Sequence, residues 1–207
     1  AAVVLCCNYL LPQHAMLPWV AAVLSTMASI ALTGGFHEDG MADVADGLGG
    51  HLPAERALEV MKDSRLGAYG VMALCMGLIA KTVFVALLVA SNVAAAALLL
   101  CSVHVLSRGA PLLLMHTLWH VSLPATSKTL HIAGQQLGWG GVVTGLLWCV
   151  PALVIVYAGL DWPMVLALVL TGLLTTSYMG WRFHRRLGGM TGDCLGAAQQ
   201  VTELGMY

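Results

Sequence analysis

Asp39, Asp43 and Asp46 stand four and then three residues apart in the stretch His37-Glu38-Asp39-Gly40-Met41-Ala42-Asp43-Val44-Ala45-Asp46-Gly47. On a helix that spacing places all three carboxylates on one face. Like charges crowded on one face repel, so an isolated helix gains nothing from them. Hard oxygen ligands that point one way do suit Mg²⁺ or Mn²⁺, shared with the phosphates of a substrate. His37 has the chemistry of a ligand, a base or a hydrogen-bond donor. Glu38 projects to another face and falls outside this set. Gly35, Gly40 and Gly47 allow close backbone approach to a ligand. The competing reading is a solvated acidic stretch at a helix N-terminus, where acids are favourable.

Three more groups carry charge in informative places. In Met61-Lys62-Asp63-Ser64-Arg65-Leu66-Gly67, Lys62 and Arg65 are suited to pairing with phosphates, and Asp63 adds another metal-type oxygen. Arg108, in Ser107-Arg108-Gly109, lies within an apolar run, roughly two to three turns from its end. A charge there costs a few kcal/mol and calls for an anion, with Asp39, Asp43 or a substrate phosphate as candidates. Lys81, in the middle of another apolar run, raises the same question. In Arg185-Arg186-Leu187-Gly188-Gly189-Met190-Thr191-Gly192-Asp193, the glycines suit a turn that offers backbone N–H groups to an anion, and Asp193 is a further hard ligand. No Lys follows these glycines, so this is not a P-loop. His116 and His120 share a helix face but have no acidic helper and read as interfacial or core residues. The six cysteines show no CxxC and read as buried thiols.

The elements that must hold these residues are membrane spans. Of 207 residues 59% are apolar and only 9% charged, with a net charge of −1 and a mean hydropathy of +0.84. Too few charges exist to coat a soluble globule, which excludes a soluble enzyme, a disordered tail and a nucleic-acid binder with a basic surface. Apolar runs over about 15–35, 67–90, 93–119, 139–158 and 162–181 are each long enough to cross a bilayer. The fold expected is an all-α polytopic helical bundle, one membrane-embedded domain over 1–207 whose two ends continue beyond the residues given. Alternation puts 36–66, 119–138 and 182–207 on one side. That side holds Arg56, Lys62, Arg65, Lys128, Arg182, Arg185 and Arg186, whereas the hinges at Ser91-Asn92 and Gly159-Leu160-Asp161 hold no Lys or Arg. The asymmetry predicts that the charged side, and the site with it, faces the cytoplasm.

Together the clusters point to metal-assisted cleavage of a phosphoanhydride by a membrane-embedded transferase. Two alternatives are a divalent-cation transporter and a phosphotransferase of the CDP-alcohol type. The DGxxDxxDG spacing partly matches the latter, but the Ala-Arg pair after its first DG and its longer acidic spacing are absent.

The stretches LTGGFHEDGMADVADG (32–47), MKDSRLGAYG (61–70), SRG (107–109) and LGGMTGDCLGA (187–197) resemble, in order and spacing, the cobalamin synthase family of adenosylcobinamide-GDP ribazoletransferases. The resemblance implies a Mg²⁺-dependent, multi-pass enzyme of the bacterial inner membrane. Such an enzyme joins adenosylcobinamide-GDP to α-ribazole or α-ribazole 5′-phosphate and releases GMP, late in cobalamin biosynthesis. On the matching positions it implies His37, Asp39, Asp43, Asp46 and Asp63 as catalytic residues, with Asp39, Asp43, Asp46 and Asp63 also holding the metal. It implies Lys62, Ser64, Arg65, Arg108, Thr191 and Asp193 for substrate binding. The implied partners are the two substrates and the lipid bilayer, with a second copy or other membrane enzymes of the pathway as further candidates and no nucleic acid.

Overall fold

Gly34 and Gly35 both take left-handed backbone angles (φ 67° and 72°), which only glycine adopts freely. They end one helix and start the next at an angle of 88°. This elbow lays the acidic helix across the end of the apolar one that precedes it. The structure is a computed structural model that describes residues 1–12, 14–121 and 136–207; Lys128 lies outside them.

The helices, in chain order, are α1 (Ala2–Leu10), α2 (Leu17–Thr33), α3 (Phe36–Gly49), α4 (Ala54–Met61), α5 (Ala68–Ser91), α6 (Val93–Leu106), α7 (Gly109–Thr117), α8 (Trp139–Leu147), α9 (Val150–Gly159), α10 (Trp162–Leu187) and α11 (Gly192–Met206). Four spans are long and apolar enough to cross a membrane: α5, α6 with α7, α8 with α9, and α10; α2 with α3 forms the bent fifth candidate. The all-α membrane fold expected from composition is therefore present.

Two spans that the sequence presents as continuous are broken. α6 gives way to α7 at Ser107–Arg108, and α8 to α9 at Trp148–Cys149. The breaks begin four residues before Pro111 and three before Pro151, and a proline ring has no N–H and clashes with the carbonyl one turn back. Arg108 thus sits at a helix junction and not inside a regular span. Another difference is α10, which runs on past Trp181 to Leu187 and stops at Gly188 with φ 75°. Side-chain caps fix other ends: Asn92 accepts from the Ala95 N–H, Asp161 from Met164, and Thr191 from Cys194.

α11 is the centre of the bundle. It packs against α3 most extensively and also against α10, α7, α6 and α5. Its buried residues include Cys194, Ala197 and Ala198 on one side and Gln199, Gln200, Thr202 and Glu203 on the other. The crossing with α3 is close because both helices offer a glycine there. A Cβ on Gly40 would lie 2.7 Å from the Asp193 carbonyl oxygen, and one on Gly196 would lie 3.2 Å from the His37 Cα. Backbone atoms cannot swing aside, so Gly40→Ala is expected to push the helices apart and cost about 1–3 kcal/mol of stability. Gly192→Ala, with nothing near its added carbon, is the control. Thermal melting of the two purified variants checks this: a fall for Gly40→Ala and little change for Gly192→Ala.

Candidate active site

The α3–α11 crossing brings the acids of two distant motifs together. α3 presents Asp39, exposed, with Asp43 and Asp46 half-buried, and the first turn of α11 presents Asp193. Burial, then the charges of Asp39, Asp193 and Asp46, push the Asp43 carboxyl up to about 6. Burial also raises Asp193, reinforced by Asp39 and opposed by the hydrogen bond from the Thr191 hydroxyl and by the charge of Lys62. Asp39, Asp43 and Asp193 are therefore a mutually repelling carboxylate set, raised in affinity for any cation that relieves the repulsion. Among the described residues, no three His, Cys, Asp or Glu side chains converge on one point closely enough to hold an ion unaided. An ion that keeps waters and takes substrate oxygens, as Mg²⁺ does, needs only one or two of these carboxylates.

Asp46 has a different surrounding. Its Oδ2 accepts from the Gly67 N–H and its Oδ1 from the Gly70 N–H, each at 2.8 Å. These amides open α5 and have no partner inside that helix, so the carboxylate caps α5 from α3 and meets the positive end of its dipole. Side chains at positions 67 or 70 would collide with it.

Asp63 belongs to the turn that precedes α5 and pairs with Arg65 at 2.5 Å. Hydrogen bonds from Arg65 hold the Asp63 carboxyl down at about 2. Arg65 itself, with 88% of its side chain exposed, keeps its guanidinium facing outward. Lys62 and Ser64 are exposed on the same turn, and the Lys62 charge is felt at Asp193. This turn is a basic rim beside the acidic set.

Arg108 is exposed and donates to the His104 carbonyl. The anionic partner expected for it among Asp39 and Asp43 does not appear among the described residues. It lies instead near His37, which burial and then the Arg108 charge make harder to protonate.

A second polar layer, of which the sequence flagged only Lys81, lies beneath the acids. Lys81 of α5 and Glu203 of α11 form an ion pair at 2.7 Å, with 3% and 2% of their side chains exposed. Gln199 donates from Nε2 to Glu203 and to the Ser107 hydroxyl at the α6–α7 break. Gln200 donates to Gln199 and to Glu38, the acid set aside in the sequence reading. The Tyr207 hydroxyl donates to Glu203 and also meets His104, which in turn meets Ser29. The signal available in the sequence was Gln199-Gln200 followed by Glu203, one helix turn on, in a segment otherwise made of small and apolar residues. His116 is half-buried: its ring bonds the Leu137 carbonyl and lies 4.2 Å from that of Trp139, tilted by 55°.

The acidic set gives a pH signature. A carboxyl whose folded pKa is raised binds its proton more tightly in the folded state than in the unfolded one. Stability is then greatest below the unfolded value near 4 and falls as pH climbs through about 6. Metal-free protein is expected to melt at progressively lower temperature over that window, and Asp43→Asn to flatten the slope. Melting curves at several pH values, with and without chelator, check this; an identical slope in the variant contradicts it.

The profile of a family described as cobalamin-5-phosphate synthase matches residues 1–207. Similar proteins include an adenosylcobinamide-GDP ribazoletransferase of Polaromonas sp. strain JS666, 46% identical over 96% of this chain and 74% of the relative. Another of the same name, from Polaromonas naphthalenivorans, is 43% identical over 96% of this chain and 75% of the relative. A third, from Shewanella piezotolerans, is 37% identical over 96% and 75%. No solved structure matches.

Proposed function

The chain belongs to the cobalamin-5-phosphate synthase family, and from that premise we propose that it joins adenosylcobinamide-GDP to α-ribazole or α-ribazole 5′-phosphate and releases GMP. In this reaction a ribazole hydroxyl attacks the phosphorus attached to cobinamide, a new P–O bond forms, and the bond to the GMP phosphate breaks. The observation that carries the reading is the carboxylate set of Asp39, Asp43 and Asp193, brought together from two motifs, with the charge of Lys62 felt at Asp193.

The donor set fits Mg²⁺: hard oxygens, crowded, with Asp43 raised to about 6. One or two of the carboxylates Asp39, Asp43 and Asp193 would hold the ion, which would supply charge neutralisation for the pyrophosphate. Asp46, with both oxygens on α5 amides, keeps α3 in place. Asp63 orients Arg65, and Lys62, Ser64 and Arg65 receive phosphate oxygens. Thr191 caps α11 and holds Asp193. Arg108 supplies positive charge near His37. His37, kept neutral, is suited to take the hydroxyl proton, as is whichever carboxylate of the set the ion leaves free.

The direct test is GMP release by purified protein in nanodiscs, given adenosylcobinamide-GDP, α-ribazole and Mg²⁺. No GMP above the level without α-ribazole contradicts the reading. The site is proposed to face the cytoplasm of a bacterial inner membrane, supported by the basic residues of the 182–187 stretch on its side. Single cysteines at Gly50 and Gly188 are then expected to resist an impermeant thiol reagent added to intact cells, and one at Ser91 to react. The reverse pattern refutes the orientation.

A further inference from the structure

α3 has an underside. Opposite its acids, Met41, Val44 and Leu48 roof a cavity of about 490 Å³ whose walls come from α5, α10 and α11. Met72 and Met76 of α5 and Met179 and Phe183 of α10 line it. α5 and α10 flank the cavity without packing closely on each other, so it opens sideways between two membrane-spanning helices. Exposed Met72 and Met76 line it on α5, a helix long and apolar enough to cross the bilayer.

Its rim is polar. Tyr69, Tyr178 and Arg182 line the mouth. Arg182 donates to the Tyr178 hydroxyl, and no carboxylate pairs with it among the described residues. One residue before it, Trp181 packs near Tyr178 and carries the Arg185 guanidinium over its ring at 5.4 Å. Aromatic rings with arginines mark the level of lipid headgroups. A flexible thioether lining adapts to an irregular apolar guest, and a guanidinium at headgroup height suits a phosphate.

We propose that this cavity seats one acyl chain of an anionic phospholipid whose phosphate is held by Arg182, so that lipid packs the underside of the helix bearing Asp39 and Asp43. Shape, lining and charge all favour this occupant. The chain fills a lateral apolar slot that water would wet at a cost. The anionic headgroup meets Arg182, with Arg185 close by. Arg186 is committed elsewhere, donating to the carbonyls of Leu48, at the end of α3, and of Gly50 and Leu52 just beyond it.

The test uses intact protein in nanodiscs containing either phosphatidylglycerol or phosphatidylcholine with a diazirine in one acyl chain. After illumination, labelled peptides are mapped by mass spectrometry. In the wild type, peptides carrying Met72, Met76 or Met179 are expected to label at least five-fold more with the glycerol probe. Arg182→Gln is expected to erase that preference. Ala73→Phe, which fills the cavity from α5, is expected to suppress labelling by both probes while thermal melting stays unchanged. Equal labelling by the two probes in the wild type overturns the proposal. So does a preference that survives Arg182→Gln, or labelling that survives Ala73→Phe. Labelling is read without reference to turnover, so the result stands apart from the reaction assigned above.

Discussion

Replacing Asp39 or Asp43 by Asn is expected to lower GMP release by about two to three orders of magnitude, with the fold intact. Asn keeps the size and one carbonyl oxygen but removes the charge that a hard cation needs. Neither side chain is used to hold helices together, and Asp43 is repelled by three neighbouring acids. The metal-free variants are therefore expected to melt no lower than the wild type. Higher Mg²⁺, or Mn²⁺, should partly restore the weaker variant. Asp46→Ala should behave differently. Its carboxylate accepts from two α5 amides, so its loss should appear first as lower stability, about 1–3 kcal/mol for the donors left unpaired. Turnover against Mg²⁺ concentration, measured beside melting curves, separates the two classes. Wild-type turnover in Asp39→Asn and Asp43→Asn would end the assignment of these acids to the metal.

The second large effect is on stability. Lys81→Met is expected to destabilise the bundle by about 3–5 kcal/mol, because Glu203 would remain charged and buried without its partner. Glu203→Gln alone should be comparably harmful, leaving the ammonium stranded. The double variant Lys81→Met/Glu203→Gln should recover much of the loss, since removing both charges restores neutrality and Gln keeps hydrogen-bond partners for Gln199 and Tyr207. Unfolding in mixed micelles of increasing SDS content measures all three. Additive losses in the double variant would show that the pair does not act as a unit.

The fold class was legible because composition alone forces it, and the positions of the spans follow from apolar length. The acidic helix was legible from the spacing of Asp39, Asp43 and Asp46. Less legible was the division of labour among those acids. Spacing places three carboxylates on one face but does not reveal that Gly67 and Gly70 turn their amides toward Asp46. The breaks before Pro111 and Pro151 were readable in principle, since each proline frees a carbonyl one turn earlier, yet hydropathy averages across them. Most obscure was α11. Glu203 and Lys81 are joined only in three dimensions, and a helix whose polar residues point inward looks from its sequence like a solvated one. Glu38 illustrates the same inversion: it points away from the other acids because it belongs to the layer built on Gln200.

The polar interior of α11 bears on how this protein is assembled in the bilayer. α11 carries Gln199, Gln200 and Glu203, and a lone carboxylate at mid-membrane costs about 2.5–3.5 kcal/mol during insertion. Lys81 leaves the ribosome long before its counter-charge at 203, so α5 must enter lipid with an ammonium that can only snorkel. The two charges find each other once α11 packs among α3, α5, α6, α7 and α10. Assembly is thereby coupled across the chain: Lys81 gains its counter-charge only when the last of the described helices is made, and the acidic helix gains its most extensive packing partner at the same moment.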